Sequence, residues 1–549
     1  MSKQKRPKSC PVNKTIEECE LDILHLAIAK AEQKKKEQGT NVPEIKKIMN
    51  IVEDFLRHKK RIVYGGTAQN NILPPKDQFY DPVADIPDYD FFSPDAMNDA
   101  KELADIYAKA GYVEIEAKSG VHAGTYKLFV NFIPTADITQ MPDTIYNVLK
   151  REALEIDGIY YSPPNFLRMG MYLELSRPDG DVSRWEKVFK RLTLLNKHYP
   201  LTADECAHID FQRPMEMDMS SVSASRSKSK SASKSKSKSL SKRSEDSKKE
   251  KEKDKEQEQE ISNEDIYDNV LNTFVSQDVV FFGGYAISKY AKYMPTKVQR
   301  QVKKIPDFDV LSEETEKTAE LAKNNLETMG CTRVSIHKYE PIGEIVPMHY
   351  EIRVDKDTVA FIYQPNACHS YNVMKEGGKE IRIATIDTML SYYLAFLYVD
   401  QDYYDVNRIL CMSKYLFEVQ AKNRLSHRGL LKRFSIQCMG HQETLEEIRQ
   451  HKSQMFKKLS KHPQSKEYKE MFFKYRPSLK IGEPKKEENK KPQQPQPKHQ
   501  QSQKSHHQQQ QQHRQTIARK DDGKQTNTKK KNKNKNKNKK WKNKTQKIR

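Results

Sequence analysis

Three short stretches decide how this chain is read: IVYGGTA (62–68), PDYDFF (87–92) and VNFIPTAD (130–137). The same order recurs as VFFGGYA (280–286), PDFDVL (306–311) and VAFIYQPN (359–366). Gly65 to Gly283 is a shift of 218, Asp88 to Asp307 a shift of 219, and Asp137 to Asn366 a shift of 229. A Gly-Gly turn, an Asp-x-Asp pair and a third site at nearly constant offset mark an internal duplication, which sets the architecture. Read this way, only the first copy has a carboxylate at the third site, and Asn366 stands there in the second.

The acidic pattern has a chemical meaning. Side chains two apart on a strand share a face, so Asp88 and Asp90 aim together with Tyr89 turned away. Asp137 lies past a second apolar run, 128–133, and is expected alongside on a neighbouring strand. Three convergent carboxylates suit two divalent cations about 3.5–4 Å apart, a pair that activates an attacking hydroxyl and holds the leaving oxygen of a phosphoryl displacement. Mg²⁺ prefers oxygen ligands and keeps waters and substrate phosphates in its shell. Gly65 and Gly66 follow the apolar run Ile62-Val63-Tyr64 and precede an expected helix start. Glycines there let backbone N–H groups approach a phosphate, and the Thr67 hydroxyl adds a donor. Alone, a Gly-Gly pair is usually a turn, and a D-x-D is usually a solvated strand end among other acids such as Asp77, Asp81 and Asp85. Joined in order and then repeated, they point to chemistry.

GGT, then D-Y-D, then a later strand Asp resembles the nucleotidyltransferase superfamily of DNA polymerase beta and poly(A) polymerases. The duplication, with RMGMYLELSRPDGDVSRWEKVFKR (168–191), resembles more specifically the catalytic subunit of poxvirus and giant-virus poly(A) polymerases. The resemblance covers roughly Lys14 to Ile481, apart from a Ser/Lys insert. It implies an enzyme, a polynucleotide adenylyltransferase that adds AMP from ATP to RNA 3′ ends without a template. It further implies two-metal phosphoryl transfer and a role in the mRNA processing of a large DNA virus. Asp88, Asp90 and Asp137 would be the catalytic metal ligands for two ions, Mg²⁺ or Mn²⁺. Gly65, Gly66 and Thr67 would bind the nucleotide. Ser162 is a further nucleotide-binding candidate, as is Lys187, on a probable helix with Arg184, Trp185 and Arg191; the bland reading there is a salt-linked helix face. The implied partners are ATP, an RNA 3′ end, and a second subunit or a homodimer. The implied setting is the virion or host cytoplasm. In the second copy Tyr285 replaces the hydroxyl residue after Gly-Gly, and a neutral amide poorly replaces a metal-binding carboxylate, although Asp307 and Asp309 persist. That copy is expected to serve packing and RNA holding. Two alternatives stay open: another nucleotidyltransferase (uridylyl, CCA-adding or DNA-extending), or a non-catalytic RNA-binding scaffold.

Composition agrees. The chain of 549 residues has room for two or three domains. Its apolar share of 36% is low, because 220–262 is rich in Ser and Lys, and 483–549 in Gln, His, Lys and Asn. Neither segment offers enough apolar surface to offset chain ordering, and both are expected to be disordered. They carry net charges of +5 and +17 of the chain's +22, leaving the remainder near neutral. Basicity is thus a property of the tails and argues for tethering nucleic acid there. Lys59-Lys60-Arg61 and KVQRQVKK (297–304) are candidate RNA contacts on the body, or solvated faces. Seven scattered Cys without a CxxC pair suggest free thiols in a reducing, intracellular compartment. The N-terminus has no apolar signal core, and no apolar run is long enough to span a membrane.

The expected fold class is α+β: two tandem nucleotidyltransferase-like units, each a mixed sheet flanked by helices, with helical extensions and disordered basic segments. The expected divisions are an N-terminal helical region (1–60), the catalytic unit (61–219) and a linker (220–262). A degenerate second unit (263–400), a C-terminal helical region (401–482) and a basic tail (483–549) follow. Helical spacing is expected over 16–36 and 44–58, both packing on the first unit, and over 96–110 up to Gly111. It is expected again over 166–175, 389–398 and most of 407–473. Leu430, Leu431, Phe434 and Ile436 read as core.

Overall fold

In the computed structural model the run Ile62-Val63-Tyr64 becomes β1 (Ile62–Tyr64), whose first two side chains are fully buried. Around it the first unit adds β2 (Tyr89–Ser93), β3 (Ile115–Ser119), β4 (Thr125–Val130), β5 (Ile133–Gln140), β6 (Leu154–Ile156) and β7 (Ile159–Tyr161). The second unit repeats them as β8 (Val280–Phe281), β9 (Phe308–Leu311), β10 (Val334–Tyr339), β11 (His349–Val354), β12 (Asp357–Tyr363), β13 (His369–Glu376) and β14 (Lys379–Ala384). The sheet orders are β3-β4-β5-β2-β1-β7-β6 and β10-β11-β12-β9-β8-β14-β13, each extended by one edge strand. Strand for strand the two orders match, so the duplication is one of topology. Both sheets are mixed: β2 runs parallel to β5 and antiparallel to β1, as β9 does to β12 and β8. The structure describes residues 14–40, 43–81, 85–204, 206–209, 211, 261–302, 307–399, 401 and 403–477. Residues 220–260 and 483–549 of the segments expected to be disordered, and part of KVQRQVKK, lie outside them; Ser262, expected in the first of these segments, instead caps the helix Asn263–Ser276.

Amphipathic helices cover the sheets. Pro43–Lys59 buries Ile48, Met49, Val52, Phe55 and Leu56, the 3.6-residue stripe expected of a helix lying on a core. Ala96–Lys109 ends as its sequence predicts: Gly111 takes φ +94°, a conformation that costs a glycine little. Pro164–Leu175 and Ile386–Phe396 follow β7 and β14 respectively, and these equivalent helices pack on each other. The Phe166 and Tyr398 rings meet edge-on at 5.2 Å across that seam, and Ser370 N–H donates to Ser176 O at 2.8 Å. Both sheets lie within one compact unit, residues 1–479.

Some expectations are corrected. The helix Ile16–Thr40 forms, but Leu21, Leu24 and Ile28 are about half exposed and do not pack on the first unit. Its apolar residues spread around the helix instead of forming one stripe. The apolar run 128–133 is not one strand, because Asn131 and Phe132 turn at positive φ between β4 and β5. The segment beyond 407 is only partly helical: it returns β15 (Cys438–Met439) to β13 and β16 (Lys474–Tyr475) to β3, closing one edge of each sheet. Of the residues read as core there, Leu430 is buried and Ile436 is 79% exposed. Thiols expected to be free are paired, among the described residues Cys206 with Cys411 and Cys368 with Cys438, while Cys331 is free and buried. Separations of 205 and 70 residues left no spacing signal for these pairs.

Candidate active site

The Gly-Gly turn and the acidic strand meet because β1 and β2 are paired with Tyr64 opposite Asp90. Gly65 has φ +71°, and a Cβ there would lie 2.4 Å from Asp90 Oδ2. Only glycine permits both the left-handed turn and this approach. Asp90 is in turn the register partner of Asp137 on β5. Two carboxylates thus stand side by side on adjacent strands, with Asp88 two residues before Asp90. Thr67 is buried, and its hydroxyl donates to Asp88 O at 2.6 Å. The expected free donor therefore pins the loop that carries Asp88.

The electrostatics follow from this crowding. Burial, then the charges of Asp88 and Asp137, push the Asp90 carboxyl up to about 7. Burial and then Asp137 raise Asp88, against pulls from Lys127 and Lys187. Like charges sharing a site resist joint ionisation. One cation answers them directly: Lys127, opposite Asp137 on β4, donates to Asp137 Oδ2. Its signal in the sequence was a lone Lys among the apolar positions of TYKLFV. Oxygen ligands with surplus negative charge fit divalent cations, so this donor set fits the pair of ions that its pattern suggests.

Lys187 lies on Trp185–His198, exposed, close enough for its charge to act on Asp88. Arg191 of the same helix reaches the Gly-Gly turn: a Cβ at Gly66 would lie 3.0 Å from Arg191 Nη1 and 2.4 Å from Tyr80 Oη. The Arg191 guanidinium stacks over Phe79 at 4.3 Å and donates to Tyr80 Oη at 2.8 Å. Tyr80 gave no signal in the sequence, since only the fold brings the 75–81 loop over the glycines. Ser162 is not brought to the carboxylates. It is fully buried, with its N–H on Val63 O, and β7 lies across β1 from the acidic strands. A cleft of about 990 Å³ opens beside the site, walled by Glu174, Arg177 and Arg184 of the first unit and by Glu344 and Asn366 of the second. Arg184 acts on Asp90, and Glu344 acts on Tyr64 next to it.

The second unit keeps the glycine–aspartate contact and loses the site, and its turn differs: Gly283 has φ −83° where Gly65 has +71°. A Cβ at Gly283 would lie 2.0 Å from Asp309 Oδ2, so Gly283 and Asp309 reproduce Gly65 and Asp90. The register partner of Asp309 is Phe361, not Asn366. Constant offset misled because the loops differ in length. Counted from the hairpin, Ile133 to Asp137 and Asp357 to Phe361 are the same four residues. The third position is therefore a buried ring, and Asn366 stands beyond the strand, in the cleft. Asp307 is 8% exposed and faces Arg408 Nη1 at 4.0 Å, a built-in cation where the first unit leaves room for an ion.

Sheet order, repeated glycine–aspartate contact and flanking helices define a duplicated α+β body with one intact acidic site. Comparison with known proteins narrows the class. Residues 50–181 match the family model described as poly(A) polymerase catalytic subunit. Over 177 residues the chain is 37% identical to a poly(A) polymerase catalytic subunit of Acanthamoeba polyphaga mimivirus, covering 32% of this chain and 30% of that one. Over 172 residues it is 31% identical to the corresponding protein of African swine fever virus strain Badajoz 1971, covering 30% and 36%. The chain thus spans about a third of the curated relatives it matches. The crystal structure of the Megavirus polyadenylate synthase matches the fold with a TM-score of 0.65 at 20% identity, over 86% of this chain and 88% of that one. Resemblance to viral poly(A) polymerase catalytic subunits therefore holds in sequence over the first unit and in fold over both. No helix among the described residues is long and apolar enough to cross a membrane.

Proposed function

We propose that this chain is a template-independent poly(A) polymerase of a large DNA virus, adding AMP from ATP to RNA 3′ ends during mRNA processing. The observation that carries this is the pairing of Asp90 with Asp137, beside Gly65 and two residues after Asp88. The RNA 3′-oxygen attacks the α-phosphorus of ATP and pyrophosphate leaves. Asp88, Asp90 and Asp137 would hold two divalent cations, Mg²⁺ or Mn²⁺, which when bound supply charge neutralisation for the attacking and leaving oxygens. Gly65 and Gly66 give the triphosphate close access to backbone N–H groups, and Thr67 fixes the Asp88 loop. Lys187 and Arg191 orient the phosphates from the facing helix. Burial leaves Ser162 as support under β1.

In this proposal residues 61–219 are the catalytic unit and 263–400 the degenerate one, joined by the 220–262 linker. The second unit walls the cleft and holds RNA, and the 483–549 tail tethers it by charge. A second subunit or a second copy would complete the assembly, in the virion or host cytoplasm. Extension of a short RNA primer with each NTP separately, with Mg²⁺ or Mn²⁺ and an Asp88→Ala control, tests the reading. Adenylate addition that the control loses is expected. Preference for UTP or CTP would move the chain to another nucleotidyltransferase class, and no incorporation at all would make it a scaffold.

A further inference from the structure

A pocket of about 90 Å³ branches off the cleft between Pro164–Leu175 and the second unit. Its walls are Met169, Leu173, Ile345 and Ala395, and its polar residues are Glu344, Asn366, His369, Ser391 and Tyr392. It shares Gly170, Leu173, Glu344 and Asn366 with the cleft, so the two are continuous. A water needs roughly 10–15 Å³ of such space; this pocket takes a flat ring.

The polar groups are arranged for recognition. His369 is 1% exposed, and burial and then the nearby Arg177 charge bring it down to about 3, so its imidazole is neutral. Its Nε2 lies 2.8 Å from Asn366 Oδ1 and 3.0 Å from Tyr392 Oη. With Nε2–H donating to Asn366 Oδ1, Nδ1 is a bare acceptor, and among the described residues it has no partner. Through Nε2 the histidine therefore orients the Asn366 amide. The Asn366 amide keeps only one long hydrogen bond from Nδ2, to Glu344 O at 3.4 Å. Arg177 beside it forms no ion pair among the described residues, its Nε is buried without a partner, and it lines the cleft.

The geometry points to a subsite for one adenosine nucleotide at the seam of the two units: the base between the apolar walls, with Asn366, oriented by His369, reading its edge, and the phosphate at Arg177. Asparagine pairs with the donor–acceptor edge of adenine, and guanine presents the reverse pattern at its six-position. The base belongs either to ATP or to the RNA 3′ end. The inference rests on the nucleotidyl-transfer reading above and assigns base choice to the seam between the two units, where the second contributes Asn366.

Two variants test it. Asn366→Ala removes the amide at an exposed position. Gly170→Leu fills the pocket, and a Cβ at Gly170 meets nothing within 4 Å, so the helix accepts it. Each is assayed for KM and kcat with ATP and GTP, for extension of primers ending in A or C, and for equilibrium binding of ATP and of adenylate-ended RNA with Ca²⁺ in place of Mg²⁺. A fall of roughly ten-fold in ATP-over-GTP discrimination with unchanged primer preference assigns the pocket to the incoming base. Loss of preference for A-ended primers with unchanged ATP KM assigns it to the RNA end. Unchanged selectivity and binding in both variants, with wild-type protein extending RNA, overturns the inference alone. A wild-type protein that incorporates nothing overturns the reading of function; the subsite then stands or falls on whether both variants weaken adenylate binding.

Discussion

The two units share a sheet order and a Gly-against-Asp contact, and differ in what stands beside that aspartate. In the first unit it is Asp137, with Lys127 attached; in the second it is Phe361, in a cluster of rings with His349, Tyr363 and Tyr403. The glycine–aspartate contact therefore belongs to the fold, because it survives where the third carboxylate does not. Catalytic identity lies in the third position and in the room left for cations. The first unit buries like charges in conflict, and burial, then repulsion from Asp88 and Asp137, raises Asp90. The second resolves the conflict within itself, with an apolar ring at one position and Arg408 beside Asp307 at another. A site tuned for an external ion and a site satisfied internally are two outcomes of one sheet.

The largest expected effect is on activity. Asp88→Ala, Asp90→Ala and Asp137→Ala should each lower single-turnover adenylate addition by roughly a thousand-fold or more, since each removes several kcal/mol of charge stabilisation. Asp309→Ala should leave the chemical step within about three-fold, because Phe361 already denies that site its third ligand. A loss at Asp309 equal to that at Asp90 breaks the distinction between the units.

On stability the ranking reverses. Phe361→Ala should cost roughly 3–5 kcal/mol in urea unfolding, as for other buried aromatics, with the kcat of the folded protein unchanged. Asp137→Ala should cost little, because it also removes a repulsive neighbour of Asp90. Arg408→Leu should cost roughly 2–3 kcal/mol, below the usual figure for breaking a buried pair because the separation is long. The double variant Arg408→Leu with Asp307→Asn should recover much of that. An additive double variant would show that Arg408 does not serve Asp307.

Much of this contrast was legible in the sequence. The repeat of GGT/GGY and D-x-D points to two α+β units, and Asp137 falls where expected, beside Asp90 on the neighbouring strand. Such motifs are local, and strand periodicity carries them. The third position of the second unit was misread as Asn366 because Phe132 continues an apolar run through a tight turn, hiding the hairpin from which register must be counted. Tyr80, Arg408 and the pocket around His369 were invisible for another reason: each depends on segments brought together only by packing between distant elements. The exposed helix at 16–40 shows the converse, local periodicity with no surface to meet it.

The smallest effect sharpens the comparison through pH. Each unit carries a titratable group at the head of its matching strand: Glu152 just before β6 and His369 opening β13. Burial raises Glu152 and lowers His369, so the two act with opposite sign. A carboxyl raised in the folded state loses stability as pH climbs past its unfolded value. A histidine lowered to about 3 loses stability as pH falls below about 6.5, since the unfolded chain takes up a proton that the fold refuses. One such site contributes at most about 1.4 kcal/mol per pH unit across that window. His369→Gln should therefore flatten the acid limb of urea stability between pH 6 and 4 by up to that slope, whatever its effect at pH 7. Arg177, Tyr392 and Asn366 surround the ring and remain in the variant, so a change in slope reports the imidazole itself. An acid limb as steep in His369→Gln as in wild type would mean that His369 takes up its proton in the fold as readily as in the unfolded chain.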